Sequence, residues 1–433
     1  MIQSTHTLRR TLAKKKTANS GDPFFSKTRS LIKNLNVFWF GFAVYTLGFI
    51  YSNDEKFFLW PTKLQAIQAF ALILMAIGSV SLMKFRFDDP YLKTVFTVFM
   101  IYTLTVVIRG FQTDFNFVKK MLFNPFYGML HYFLPLVILL PRNINLYKKV
   151  FNVLFFFSLF YFVLLISYSG TLLDPRWDNE FGKGMTELLF QNLTLPTGFL
   201  LLTFAYHTNK KLLITGIVFL ITIYFLILRA RRGGLFIAAT ILIGALLLYL
   251  SYTKKQGLTI ALLVILVPVM TIYLTGVKLP GMFDFLLARG TEDTRSGVEQ
   301  YMSVSMSNLD WLIGKGINGK YYCPIIINME TMDYTRDVVE TGYLQIILKG
   351  GYMSLLLMGM ILFPAVYKGL FDSKNLLTKG AATLIILWMI SLHPTVVDGF
   401  TMQYMIVWVS VGICYSKKIR DLPNKSIINY LKS

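Results

Sequence analysis

The sequence predicts an all-α polytopic membrane protein of about twelve transmembrane helices, with one large polar loop between the ninth and the tenth. Three observations carry this reading. Hydrophobic residues make up 55% of the 433, charged residues only 15%, and mean hydropathy is +0.56; a single soluble core could not hide so much apolar surface. The apolar residues gather in runs of roughly 17 to 20, the length at which a helix crosses a hydrocarbon core. The 43 Lys and Arg, against 22 Asp and Glu, punctuate these runs. The formal charge of +21 is therefore a topology signal, and nucleic acid is excluded as a partner.

Residues 1–34 carry Arg9, Arg10, Lys14, Lys15, Lys16, Lys27, Arg29 and Lys33 with no acid before Asp22, and no short apolar core with a cleavage site follows. They read as a retained basic cytoplasmic tail. Residues 35–274 hold nine expected transmembrane helices, at 36–51, 64–83, 94–109, 126–140, 150–168, 188–207, 212–228, 235–251 and 258–274. A polar loop at 169–187, with Asp174, Pro175, Arg176, Trp177 and Asp178, separates the fifth from the sixth. Residues 275–339 form the large outer loop, too long for an ordinary connection; its aromatic residues and lack of low-complexity sequence predict an ordered cap. Residues 340–416 begin with a short outer helix and continue through the last three spans, at 352–367, 381–392 and 400–415. Residues 417–433 form a second basic tail, with Lys417, Lys418, Arg420, Lys425 and Lys432.

An even number of spans puts both termini on one side, and the Lys and Arg bias favours the cytoplasm for that side. The large loop then lies outside. Cys323 and Cys414 are far apart in unlike segments, which indicates packing residues rather than a disulfide or a metal site. His6, His131, His207 and His393 are scattered, and no Asp-x-Asp occurs, so neither a metal nor another cofactor is expected. His131 and His393, near membrane boundaries, are open to an acid or base role beside a packing one. Asp398 is a further candidate contact in an outer turn.

One outer turn departs from the charge rule. Between the seventh and eighth spans, Leu228-Arg229-Ala230-Arg231-Arg232-Gly233-Gly234 sets three arginines in a few residues on the translocated side. Guanidinium groups at a boundary snorkel, pair or bind an anion. Arginine suits phosphate through its planar fork, and Gly233 and Gly234 would admit a headgroup close to the backbone. The competing reading is a snorkelling cluster on anionic lipid. In the large loop, Arg289 and Arg295 stand among mixed charges; Thr294-Arg295-Ser296 leads through Trp311 to a Gly314-Lys315-Gly316 turn. The chain re-enters the membrane at Glu340-Thr341-Gly342-Tyr343-Leu344, and Gly350-Gly351 allows a break between an outer helix and the membrane helix. Glu340 is expected in that helix's first turn, either complementing its N-terminus or serving as a general base.

These stations, in this order, resemble the O-antigen ligase and polymerase superfamily of bacterial envelope glycosyltransferases. Arg231-Arg232-Gly233-Gly234 matches a Ser-Arg-Gly-Gly-like turn, with arginine where serine is usual. Arg295 matches an arginine early in a periplasmic loop, and Gly314-Lys315-Gly316 a Gly-x-Gly turn. Glu340-Thr341-Gly342-Tyr343-Leu344 matches part of a His-Asn-x-Tyr-Leu motif. The resemblance covers roughly residues 188–367 and the helix count. Glu340 and Thr341 in place of histidine and asparagine incline it to the polymerases rather than the ligases.

The resemblance implies a GT-C-like fold in the bacterial inner membrane, with the site facing the periplasm. It implies an undecaprenyl-pyrophosphate-linked oligosaccharide as both donor and acceptor, the lipid bilayer as solvent, and a flippase and a chain-length regulator as companions. Arg232 and Arg295 would stabilise the departing pyrophosphate and Glu340 would accept the attacking hydroxyl's proton, without a metal and with inversion. Arg229, Arg231, Gly233, Tyr343, Arg289 and Arg176 would contact substrate. A ligase acting on a lipid A core, or a lipid-linked oligosaccharide flippase, remains the alternative.

Overall fold

The computed structural model describes residues 29–52, 61–124, 128–174, 179–253, 295–326, 333–397 and 399–431. The expected ninth span at 258–274, Arg176, Arg289 and Asp398 lie outside these residues. Apart from one two-stranded hairpin, the described elements are helical.

Seven helices are long and apolar enough to cross a membrane: α1 (Arg29–Ser52), α2 (Pro61–Val80), α3 (Pro90–Gly110), α5 (Ile144–Ser167), α9 (Asn209–Leu228), α10 (Arg232–Thr253) and α13 (Gly342–Phe371). Between them lie α4 (Phe115–Phe123), α6 (Ser169–Leu172), α7 (Glu180–Leu189), α8 (Gly198–Leu202), α11 (Ser296–Val304) and α12 (Asn308–Ile313). After them come α14 (Leu376–Ser391), α15 (Met402–Tyr415), α16 (Lys417–Asp421) and α17 (Asn424–Leu431). The protein is a helical polytopic membrane protein by these apolar helices.

Four expected spans take other forms. The segment expected at 126–140 is a 3₁₀ helix, Met129–Leu139, with Pro135 inside it; proline cannot donate to the preceding turn. The segment expected at 188–207 passes from α7 through a π turn (Phe190–Thr194), a 3₁₀ turn holding Pro196 and the short α8 to a further 3₁₀ turn. There the Thr197 and Thr203 hydroxyls donate back to the carbonyls of Thr194 at 2.6 Å and Phe199 at 2.6 Å, competing with the helical ladder. The segments expected at 381–392 and 400–415 are α14 and α15, short for a lone span. All 14 residues of α15 are buried. Protein rather than lipid surrounds it and its first turn is capped by the Thr401 side chain, so a full bilayer length is not required. Through this centre Trp388 of α14 stacks on Tyr404 of α15, Tyr404 meets Trp408 edge-on, and Trp408 stacks on Phe99 of α3.

Ser30, Leu31 and Asn34 of α1 line one cavity with Ser416 and Lys418, so the two described ends of the chain meet at one end of the bundle. Asn375 fixes the start of α14 to that end by donating to the Ile419 carbonyl at 2.7 Å. The far end of α14 therefore marks the opposite end of the bundle.

At that opposite end the described part of the large loop is folded. Helices α11 and α12 and the antiparallel hairpin β1 (Tyr321–Tyr322) and β2 (Thr335–Arg336) enclose a small core of Val298, Met302, Met306, Tyr321, Cys323 and Val339 that continues onto Ile347 and Leu348 of α13. Helix α13 is broken where the sequence predicts: Gly351 has φ 65° and ψ −178° inside it. The Gly314-Lys315-Gly316 turn sits on that break, with positive φ at both glycines. Its Lys315 and Gly316 N–H groups donate to the Leu348 and Lys349 carbonyls at 2.8 and 2.9 Å, supplying partners at the kink. Tyr102 and Arg109 of α3 clamp the same junction, through the Gly350 carbonyl at 2.8 Å and the Gly314 carbonyl at 3.0 Å.

Candidate functional site

The arginine turn is built by the way α9 ends. The Ala230 N–H bonds to the Ile227 carbonyl at 3.0 Å and the Arg231 N–H to the Leu226 carbonyl at 2.8 Å, which is the paired closure of a Schellman turn. Ala230 occupies the left-handed position at φ 49°, unusual for a residue with a Cβ. This reversal sends the three arginines in different directions. Arg229 turns inward and is fully buried. Its guanidinium donates to the carbonyls of Thr171 at 2.9 Å, Leu172 at 3.1 Å and Asp174 at 3.0 Å. Arg229 thus caps α6 and the loop after it, and it does not line the cavity; the expectation that it contacts substrate is corrected by that burial.

Arg231 and Arg232 lie past the turn, at the start of α10. With Gly233 they line a cavity of about 320 Å³ that also takes in Arg295 and Glu340. Residues more than a hundred positions apart in sequence thus share one opening, at the end of the bundle away from the two described ends of the chain. Arg231 pairs with Glu187 of α7 at 2.9 Å. Arg295 immediately precedes α11. Its guanidinium lies 3.6 Å from the Glu340 carboxylate and donates to the Pro394 carbonyl at 2.7 Å, so it ties the loop helix to the turn after α14. Gly233 is where that turn comes closest to α10: a Cβ there would stand 3.0 Å from the Pro394 carbonyl oxygen. Gly233 therefore lets the Pro394 turn pack against the start of α10 while still lining the cavity.

Glu340 precedes the helix rather than standing in its first turn, because Thr341 is the N-cap of α13. The helix start is closed by the Gly342 N–H, which bonds to the Leu392 and Thr395 carbonyls at 2.7 and 2.9 Å. The Glu340 side chain is 49% exposed and lies between Arg295 and Arg336, the latter at 3.9 Å. Water reaches it, so the dehydrated surroundings expected of a base are not found. Thr341 donates its hydroxyl to the Glu299 carboxylate of α11. Tyr343 lies outside this cavity. It stacks on His393, with ring centroids 6.2 Å apart, at the head of an apolar groove between α13 and α14.

Sequence reasoning missed Glu187, Arg336 and the Pro394–Val397 turn. Arg336 and Glu340 stand four apart, a signal that was legible but belongs to a helix only by habit, since this stretch leaves a hairpin. Nothing local marked the turn after α14, whose role comes from contact alone.

The lining carries three arginines and two glutamates, a small positive excess held by forked donors. Such an arrangement can grip a phosphate or pyrophosphate while a carboxylate waits at its edge. The helical fold and this cavity describe a polytopic membrane protein with an arginine-lined opening at one end. No family model, curated protein or solved structure matches the chain.

Proposed function

We propose that this protein is a membrane glycosyltransferase of the O-antigen or capsular polysaccharide polymerase type, moving a glycan from an undecaprenyl-pyrophosphate-linked donor to a sugar hydroxyl of another lipid-linked repeat unit. The observation that carries the reading is the meeting of Arg231, Arg232, Arg295 and Glu340 in one cavity. A scattered set of snorkelling arginines would not converge with a carboxylate from a third segment.

In this reaction the acceptor hydroxyl attacks the anomeric carbon, the bond to the pyrophosphate oxygen breaks, and undecaprenyl pyrophosphate departs with the electron pair. Guanidinium groups fixed before the reaction stabilise the charge that grows on the leaving oxygen, and such preorganised donors are worth about 3–4 kcal/mol each. Arg232 and Arg295 are assigned this role, with Arg231 exchanging Glu187 for phosphate. Glu340 takes the hydroxyl proton once the bound glycan has displaced water from it. In this reading the chain has twelve spans in a GT-C-like arrangement in the inner membrane. Both tails are cytoplasmic and the cavity opens to the periplasm. The basic residues of the opposite end, Lys84, Arg86, Arg142 and Lys418, support that orientation by the positive-inside rule.

The test is complementation of a deletion strain. Arg232→Ala and Glu340→Gln are each expected to abolish long-chain polymer at unchanged protein level. Wild-type chain lengths in both would remove the mechanism. Lipid-linked polymer that accumulates unattached in the deletion strain would instead indicate a ligase. Purified protein that moves labelled substrate across vesicles and releases no undecaprenyl pyrophosphate would indicate a flippase.

A further inference from the structure

A second chamber, of about 370 Å³, adjoins the arginine cavity, and Val396 and Val397 line both. Its size falls in the range of small-molecule sites, about 300–1,000 Å³. Its character differs from that of its neighbour. The cations are lysines, Lys120, Lys320 and Lys349, facing Asp114 and Asp337 among side-chain amides and the rings of Tyr132 and Tyr404. Amides, carboxylates and aromatic faces together suit a hydroxyl-rich ligand, which needs both donors and acceptors and a flat apolar surface.

Lys349 is the most buried of the three lysines. It stands just before the break in α13 and is 8% exposed. Its ammonium donates to the Gly319 carbonyl at 2.9 Å, and an ammonium has three hydrogens to place. A buried charge is costly unless it is paired. The carboxylates on hand are engaged elsewhere: Asp337 sits 3.5 Å from Lys120, and Asp114 accepts the Phe117 N–H at 3.0 Å as the N-cap of α4. Three lysines thus face two aspartates across the lining. The chamber therefore keeps a positive excess around a buried donor.

We infer that this chamber receives a carboxylate-bearing sugar of the acceptor glycan, of the hexuronate kind, with its carboxylate on Lys349 and its hydroxyls among the amides. The inference rests on the glycan-transfer reading above and names the acceptor's chemical class. The shared valine wall places the acceptor beside the pyrophosphate without mixing two anions in one cavity.

The test is saturation-transfer NMR on the purified full chain, with D-glucuronate, D-glucose and inorganic pyrophosphate as probes. Glucuronate is expected to bind at least about tenfold more tightly than glucose. Lys349→Met should remove that preference, and Lys320→Glu, at an exposed lysine on the chamber rim, should weaken it with folding intact. Neither pyrophosphate nor Arg232→Ala should displace or weaken glucuronate. Equal binding of the two sugars, no binding of glucuronate, or a preference unchanged in both lysine variants would overturn the inference, as would competition by pyrophosphate. The glycan-transfer reading fails separately, through pyrophosphate binding that Arg232→Ala leaves unchanged.

Discussion

Replacing Gly351 by alanine should be among the most damaging single-methyl changes in this protein. Gly351 lies at φ 65° and ψ −178°, a conformation nearly confined to glycine and costing about 1–3 kcal/mol for a residue with a Cβ. The added carbon would stand 2.2 Å from the Leu312 carbonyl oxygen and 2.4 Å from the Ile313 nitrogen. Both are backbone atoms, so no side chain can swing aside, and overpacking of this kind adds about 1–3 kcal/mol. The two contributions together come to about 2–6 kcal/mol. Relief would require α12 to lift from the break, loosening the Gly314-Lys315-Gly316 turn and the outer turn of α13 that leads back to Glu340. Thermal unfolding in detergent should therefore show a clear fall for Gly351→Ala. Gly184→Ala, where an added Cβ meets nothing within 4 Å, should change little. Polymer formation should fall with the first variant only. An unchanged melting temperature for Gly351→Ala would refute the claim that the two backbones are locked in contact.

Arg229→Met should lower stability by about 1–3 kcal/mol by leaving the Thr171, Leu172 and Asp174 carbonyls without their donor, and retained pyrophosphate binding in the surviving folded fraction would confirm that its part is architectural. Ala230→Gly should raise stability by about 0.5–1 kcal/mol, because glycine carries no penalty in the left-handed position; a lower melting temperature would contradict the turn as described. Burial pushes the Asp89 carboxyl up, but the Lys368 hydrogen bond and charge and the Leu92 N–H outweigh it and hold it below the usual carboxylate range. Its folded pKa is thus depressed, so its contribution is present above about pH 4 and is lost as pH falls through the folded value. Melting curves from acid to neutral pH should show an acid-side loss that Asp89→Asn lacks, and identical profiles would exclude the pairing.

The apolar runs made α1, α2, α3, α5, α9, α10 and α13 legible, because the free energy of placing a side chain in hydrocarbon is a property of composition along a helix-length window. The Gly350-Gly351 break was legible for a related reason: only glycine tolerates the backbone it adopts. The irregular course through Pro135 and Pro196 was written in the same residues, yet the apolar content of those stretches reads as continuous helix until neighbouring protein is seen to satisfy the backbone. Length misleads for α15 as well, since a helix enclosed on all sides need not match the bilayer.

The site divides in the same way. The sequence by itself determined that cations and a carboxylate gather near the ends of membrane helices, since charge is excluded from the hydrocarbon interior. Only the tertiary structure decided which of them act together. Arg229, Arg231 and Arg232 are almost equivalent in sequence, but the Schellman turn at Ala230 buries the first under backbone carbonyls and leaves the other two lining the cavity that Arg295 and Glu340 also line. The direction of a side chain past a turn depends on backbone dihedrals and on the surface that meets it. Here that surface is the turn at Pro394, which no local pattern announces.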